Sequence, residues 1–363
     1  MITTYEPWDT LFFRDGKPFS MGEDTWATGI FPPLPSTIYG ALRTAYLAEH
    51  PDVKDKIDTE TEGLAVEGLF LRQGEHFLFP APADCHKQKS QKNRVFLSYD
   101  LILNQDIALS GNHFRILKKL TPTQIPAREV FITDDHLRKY LSDVNPGEDR
   151  LEMPNACELD ELIAYENKIG LGRDNATRSA QESMLYRVQM QRWKNLQLVV
   201  DANLETVGMD KPTQLRLGGE GKAVRLVEEE QRPVIPGPTH SGPCFKLYLA
   251  TPALFRNGWL PGGFQKKEGY YTGIWRGVEV ELLAAFVDKP VRIGGFDIKE
   301  RRPKPMRQAA PAGSVYYLRA LNADGNAING AFHTKKISDF LPKQGFGLAL
   351  VGALNHAFFK KLK

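Results

Sequence analysis

The chain has 363 residues, 42% of them hydrophobic and 25% charged, and its 47 lysines and arginines against 44 aspartates and glutamates leave a formal charge of +3. This composition excludes a disordered or low-complexity chain and supplies enough apolar mass for a core without disulfides, with length for about two domains. So small a net charge does not by itself point to a polyanion, so the local distribution of charge carries the argument.

Cys85, Cys157 and Cys244 lie far apart and form no CxxC pair. That spacing excludes a cysteine-based zinc cluster and argues against a secreted disulfide scaffold, and no cofactor is expected. The first residues carry no basic stretch followed by an apolar one, and no uncharged apolar run approaches the roughly 18 residues that cross a bilayer. The expected compartment is the cytoplasm.

In chain order, residues 2–6 are short and β-prone. Leu11-Phe12-Phe13 leads into Arg14-Asp15-Gly16-Lys17, and Asp-Gly is a hairpin-turn signal. Prolines 32, 33 and 35 force extended backbone. Ser36 is then the expected N-cap of a helix running to about Glu49, stopped by Pro51. Ile38, Ala41, Leu42 and Ala45 share its apolar face, and Arg43 lies away from them. Residues 50–165 are less regular, with strand candidates at 69–71 and 76–79 and a polar, basic stretch at 86–94 read as surface loop. Tyr186, Val188 and Met190 alternate with Arg187, Gln189 and Gln191, which favours a strand, although Leu185 and Val188 also suit a helix. Lys194-Asn195 turns into a second strand at 196–200. The proline-rich stretch 233–238 can continue neither helix nor central sheet and marks the expected boundary between two domains, 1–232 and 239–363, the first with an insertion around 50–165. Further strands are expected at 245–250, 278–287, 291–296 and 314–318, with a short helical segment at 336–341. The pattern predicts an α+β class with largely antiparallel sheets.

Local charge singles out residues 289–307, where seven basic residues face two acidic ones. Prolines 303 and 305 keep its centre extended. Arginine matches phosphate with a two-pronged donor fork, so this ribbon suits a single-stranded backbone, and Phe296, Tyr316 and Tyr317 offer flanking rings for base stacking. The bland alternative is a solvated loop. At 168–178, alternate glycines with Lys168, Arg173 and Arg178 form a second anion-approach candidate or a plain turn. Gly218-Gly219-Glu220-Gly221-Lys222-Ala223 is not a phosphate-binding Walker loop, because Ala223 stands where a hydroxyl is needed. Gly345-Phe346-Gly347 is either a ligand-approach loop or tight packing. The eight histidines are scattered. There is no HExxH, GxSxG or DxD cluster, and His86, His240 or His333 as a general base for RNA cleavage is the less favoured reading.

Several of these segments, in order, resemble one family. Residues 7–19 (PWDTLFFRDGKPF) look like its opening and 35–43 (PSTIYGALR) its first helix. Residues 168–178 followed by Met184-Leu185-Tyr186 look like a central signature. Ile293-Gly294-Gly295-Phe296-Asp297, Lys304-Pro305-Met306-Arg307 and residues 311–316 look like a late one, and residues 345–352 resemble the glycine-rich loop of the RAMP superfamily. The ordered set resembles the third-subunit family of the Cmr complex, the type III-B CRISPR effector of antiviral defence. The resemblance implies two ferredoxin-like (RRM-like) domains with large loop insertions. It also implies binding of the 5′ tag of the guide crRNA, pairing with the large polymerase-like subunit, contact with the backbone subunit that carries the RNase activity, and no catalysis by the chain itself. The alternative is a metal-independent RAMP endoribonuclease that processes precursor crRNA. The candidate RNA-binding residues are Arg14, Lys17, Arg43, Lys168, Arg173, Arg178, Arg292, Arg301, Arg302, Lys304 and Arg307, with Gly345 and Gly347 as the approach loop; some of these, the 168–178 loop above all, face RNA or a protein partner.

Overall fold

The computed structural model describes residues 1–15, 26–98, 123–142, 150–173, 177, 179–229, 231–239, 242–267, 270–297 and 302–354. Period-two apolar alternation and short turns make strand their commonest regular state. The first half builds β1 (Ile2–Pro7), α1 (Pro35–Glu49) and β2 (Val66–Gln73). A long excursion over 74–196 follows, holding α2 (Asp134–Leu141), β3 (Ile163–Arg173) and β4 (Ala180–Trp193). The chain then returns as β5 (Gln197–Ala202) and β6 (Ala223–Glu228). In the sheet these strands lie in the order β6-β1-β5-β2, every pair antiparallel. That is the split βαβ order of the ferredoxin-like motif, with the second crossover carrying the 3₁₀ turn Leu204–Val207 and the edge strand Gln214–Arg216 in place of a helix.

The second half repeats the order. It comprises β7 (Cys244–Leu249), β8 (Val278–Phe286), β9 (Val291–Ile293), β10 (Arg307–Ala309), β11 (Val315–Ala320), α3 (Gly325–Phe332) and β12 (Leu348–Ala353). The sheet order is β12-β7-β11-β8, again antiparallel throughout. Here the first crossover holds the hairpin Phe264–Lys267/Tyr270–Trp275, which extends the sheet. The proline-rich residues 233–238 connect the two sheets without regular structure.

Each helix covers one face of its sheet. Ile38, Ala41, Leu42 and Tyr46 of α1 pack with Tyr5, Leu71, Leu198 and Leu226. Ile328 and Phe332 of α3 pack with Phe245, Leu247, Leu318 and Val351. The opposite faces meet in a third core, where Val199 of the first sheet and Tyr248, Tyr317 and Leu350 of the second share contacts with Tyr140 and Leu141 of α2. All six residues of β7 are therefore buried, on both faces. A polar knot sits in this seam. The residue Asp84 keeps some exposed surface, but its carboxylate is enclosed and accepts from Tyr140 Oη at 2.8 Å and Tyr317 Oη at 2.7 Å. The fully buried Lys246 places its ammonium 3.8 Å from the Tyr140 ring centroid. Burial pushes Asp84 above the ordinary carboxylate range, with the Lys246 charge pulling the other way.

The structure departs from the sequence reading at several points. Ser36 does not cap α1: Leu34 holds the N-cap in extended backbone, and Pro35 occupies the first turn, where its missing N–H costs nothing. Residues 86–94 are not surface loop, because His86–Gln88 and Gln91–Ser98 pair as a hairpin in a four-stranded sheet, with His86 buried. The strands His76–Pro80 and Val130–Thr133 join the first sheet beyond β2, and the excursion lies at 74–196, where the sequence placed an insertion around 50–165. Residues 336–341 are not helical; the helix is α3, capped by Asp324, whose side chain accepts from Ala327 N–H at 2.8 Å. Its two glycines hid it from propensity.

Candidate nucleic-acid interface

Tyr316 and Tyr317 are not available to stack bases. Both are buried, with the Tyr316 hydroxyl donating to Trp259 O at 2.6 Å and that of Tyr317 to Asp84. More generally, the sheet face that an RRM leaves open for RNA is closed in both units by the seam, the other face being covered by the helix. Any RNA-facing surface on the two central sheets therefore lies on connections and edges.

The connection after the second strand of the second unit is a basic arm. Its root is the β9/β10 ladder, in which Val291 faces Ala309, Arg292 faces Gln308 and Ile293 faces Arg307. Further out, Asp297 lies in register with Arg302. Arg292, Arg302, Lys304 and Arg307 are exposed and form no ion pair among the described residues. The ladder alternation puts Arg292 on one face and Arg307 on the other. The Arg307 guanidinium lies 4.0 Å from the Phe340 ring centroid, and the residue stays exposed.

The arm is seated by a small apolar cluster of Leu34, Leu254, Ile293, Ala309 and Phe346, with Ile30 and Phe340 against it. Phe346 is fully buried there, which contributes about 2–3 kcal/mol. Gly345 and Gly347 flank it with φ of +97° and +77°. A Cβ on Gly347 would sit 2.5 Å from Ser338 N, and one on Gly345 3.0 Å from Val66 Cγ1. Both glycines are buried, so their conformation serves the turn that drives Phe346 into the seat, which is the packing alternative rather than an open approach loop.

The same seat joins the arm to the N-terminal segment. Ile30 N–H donates to Phe13 O at 2.8 Å, and Arg14 bridges Gly29 in antiparallel fashion. Leu11 and Gln191 exchange backbone hydrogen bonds, at 2.8 and 2.7 Å, tying this segment to β4. Phe12 packs there with Ala27, Val188 and Met190. The segment thus runs from the β3/β4 hairpin, past exposed Arg14, to the root of the arm.

Lys168 lies on β3, exposed, in a charged group beside that segment. The Asp9 carboxylate accepts from Lys222 Nζ at 2.6 Å and from Arg192 at 3.3 Å, and Arg192 also pairs with Glu166. Hydrogen bonding from Lys222 is the main reason the Asp9 carboxyl drops to about 2. The neighbouring Lys222 ammonium holds Lys168 below the ordinary lysine value. In the sequence the loop of Lys222 fails the Walker pattern; only the fold brings Lys222 to Asp9.

The remaining candidates divide. Arg43, on α1, donates to Asp58 at 2.6 Å and lies 5.9 Å from the Tyr39 ring centroid. Arg173 ends β3, in register with Ala180. Lys17, Arg178 and Arg301 lie outside the described residues. Of the histidines, His86 is buried, with Nε2 3.1 Å from Gln124 Nε2. His333 Nδ1 accepts from Val351 N–H at 3.2 Å, while Nε2 lies 2.8 Å from Ile235 O. His240 lies outside the described residues. No cluster of three or more metal-ligating side chains occurs among the described residues, and none of their helices is long and apolar enough to cross a membrane.

The family model described as CRISPR-associated protein (Cas_Cmr3) matches residues 3–354. No curated protein matches the chain. Among solved structures, a cryo-EM structure of the Type III-B Cmr-beta bound to cognate target RNA contains a chain that aligns with a TM-score of 0.50 at 17% identity, covering 87% of this chain and 86% of that one. Another of Cmr-beta, bound to cognate target RNA and AMPPnP in state 1, aligns with a TM-score of 0.51 at 17% identity and the same coverage. At that identity the likeness is one of fold.

Proposed function

This chain belongs to the CRISPR-associated Cas_Cmr3 family, and from that premise we propose that it is a non-catalytic subunit of a type III-B Cmr ribonucleoprotein that holds the 5′ tag of the guide crRNA. In this reading it pairs with the large polymerase-like subunit and touches the backbone RNase subunit, in antiviral defence and in the cytoplasm. The observation that carries the reading is the basic arm. Four exposed cations without carboxylate partners among the described residues lie on an arm whose root packs in an apolar seat, and Ile30 of that seat ties it to the segment bearing Arg14. Cations left unpaired at a surface repel one another, and an anionic polymer supplies the missing charge. An extended basic ribbon follows a single strand, whose phosphates set register while exposed base edges are read.

The non-catalytic part of the reading draws support from His86 and His333, whose rings are turned inward and engaged within the fold. Incubating the purified chain with repeat RNA and EDTA tests it: a discrete cut abolished by His240→Ala would replace this reading with a metal-independent endoribonuclease.

Binding of tag RNA across a salt series tests the RNA-holding role. About five neutralised phosphates give a slope of log K against log salt near −3.5, at roughly −0.7 per contact. Changing Arg302, Lys304 and Arg307 together to alanine should flatten that slope by about 2 and weaken binding at least tenfold. A wild-type response that is flat in salt would point instead to a protein adaptor without RNA contact.

A further inference from the structure

The two faces of the ladder at the root of the arm differ in chemistry. Residues directly opposite in an antiparallel pair share a face, and successive residues alternate. Ile293 and Arg307 are opposite one another and both meet the seat, Ile293 within its cluster and Arg307 over the Phe340 ring. Arg292 and Gln308 are opposite one another as well and share the other face, where both are exposed. Neither side chain has a polar partner among the described residues. Met306, two residues before Gln308, falls on that same face and is 48% exposed. Its thioether reaches across to Gly294: a Cβ on that glycine would lie 3.2 Å from Met306 Cε and 3.5 Å from Sδ. The bare backbone of Gly294 thus leaves room for the methionine to lie against the ladder.

Three kinds of group therefore share one exposed face. Arg292 offers a fork for phosphate, Gln308 an amide that both donates and accepts, and Met306 a soft apolar surface that adapts to a flat partner. An unpaired nucleotide presents the matching three, a charged phosphate, a base edge with donors and acceptors, and an apolar base face. The charge around them favours RNA over a protein as the occupant. Within the described arm residues 291–297 and 302–309 the one acidic side chain is Asp297, which lies in register with Arg302, so the face sits in a field suited to a polyanion.

We propose that Met306, Gln308 and Arg292 read one unpaired nucleotide of the bound RNA, its base lying on the Met306 thioether, its edge hydrogen-bonded to the Gln308 amide and its phosphate held by Arg292. The inference rests on the RNA-holding reading above and deepens it. The cations of that reading hold phosphates, which fix register but carry no sequence information; this face of the arm is where a base is recognised.

The test is binding of tag RNA to the full chain across a salt series, together with a set of RNAs in which each tag nucleotide in turn lacks its base. Met306→Ala and Gln308→Ala should each weaken binding of intact RNA about fivefold with an unchanged salt slope, and Met306→Leu should recover most of the loss. Arg292→Gln should lower the slope by about 0.7. One abasic position should cost wild type about fivefold or more and cost Met306→Ala almost nothing further, because the contact is already gone. If both alanine variants bind intact RNA like wild type while the arm triple variant is weakened, this site is overturned and the RNA-binding reading stands. If every abasic position costs Met306→Ala as much as it costs wild type, the methionine touches no base and the site is overturned. If Met306→Ala keeps its RNA affinity but no longer co-purifies with a sibling subunit, the face belongs to a protein and the site is overturned. If wild type itself shows no salt-dependent binding, both the site and the RNA-binding reading fall.

Discussion

The two ferredoxin-like units share one strand order but use the connection between their second and third strands in opposite ways. In the first unit it expands into the excursion at 74–196, which adds strands, α2 and part of the central core. In the second it is the short arm at 291–309. The contrast in charge is sharper than that in size. Five cations of the excursion are matched among the described residues: Lys87 with Glu158, Arg94 with Glu152, Arg128 with Asp288, Arg138 with Asp134 and Asp135, and Arg192 with Glu166. Arg292, Arg302, Lys304 and Arg307 of the arm are not matched among the described residues. Exposed ion pairs contribute little stability, about 0–1 kcal/mol each, so pairing in the excursion chiefly cancels its field. The lesson is that a basic stretch signals a ligand only where the fold withholds the carboxylates. Residues 86–94 and 289–307 look alike in sequence and differ in this respect.

The comparison can be broken at the seam, in the arm's seat, at the linker and on α1, in decreasing order of effect. Asp84→Ala would leave two tyrosine hydroxyls without their buried acceptor and the Lys246 ammonium without the buried charge that acts on it, and should destabilise the chain by about 3–5 kcal/mol in denaturant unfolding. Asp84→Asn, which keeps an acceptor oxygen, should lose less. An equal loss from both would mean that the carboxylate charge, not the hydrogen bonds, joins the units.

Gly347→Ala places a Cβ against Ser338 backbone at positive φ and should cost about 2 kcal/mol, more than Gly345→Ala, whose nearest neighbour is a side chain. Its RNA affinity should fall only as far as the seat loosens. A large loss of binding with unchanged melting temperature would restore these glycines as a direct approach loop.

Acidification probes the linker latch. Burial holds His333 below its ordinary value of 6.5, and the Val351 N–H needs an unprotonated Nδ1. Such a group contributes stability above pH 6.5 that is lost as pH falls through its lowered folded value. Wild type should therefore lose stability between pH 7 and pH 5, and His333→Gln should lose less over that interval. His136, also lowered by burial, keeps some dependence in place. Identical slopes for the two proteins would remove His333 from the latch.

The smallest effect is expected at Arg43. Because it is engaged with Asp58, Arg43→Ala should change stability by less than about 1 kcal/mol and tag-RNA affinity by less than about twofold. A tenfold loss of RNA affinity would move α1 into the interface.

Much of this was legible in the chain. The apolar face of α1, the strands at β1, β7, β8 and β11, the β4 alternation and the proline linker follow from periodicity and turn chemistry, which act over a few residues. Residues 336–341 misled because local propensity ignored their packing on the β12 turn. What the residues alone could not disclose is which like-looking segments end up near counter-charges. Tyr317 reads as a stacking platform until β11 closes against α2, and Lys222 reads as a failed phosphate loop until the fold brings Asp9 to it. Sequence determined the elements, their composition and the family, because backbone geometry and side-chain period are local properties. Tertiary structure alone decided which cations are paired and which rings are buried, because electrostatic pairing and burial depend on neighbours that the chain supplies from a hundred or more residues away.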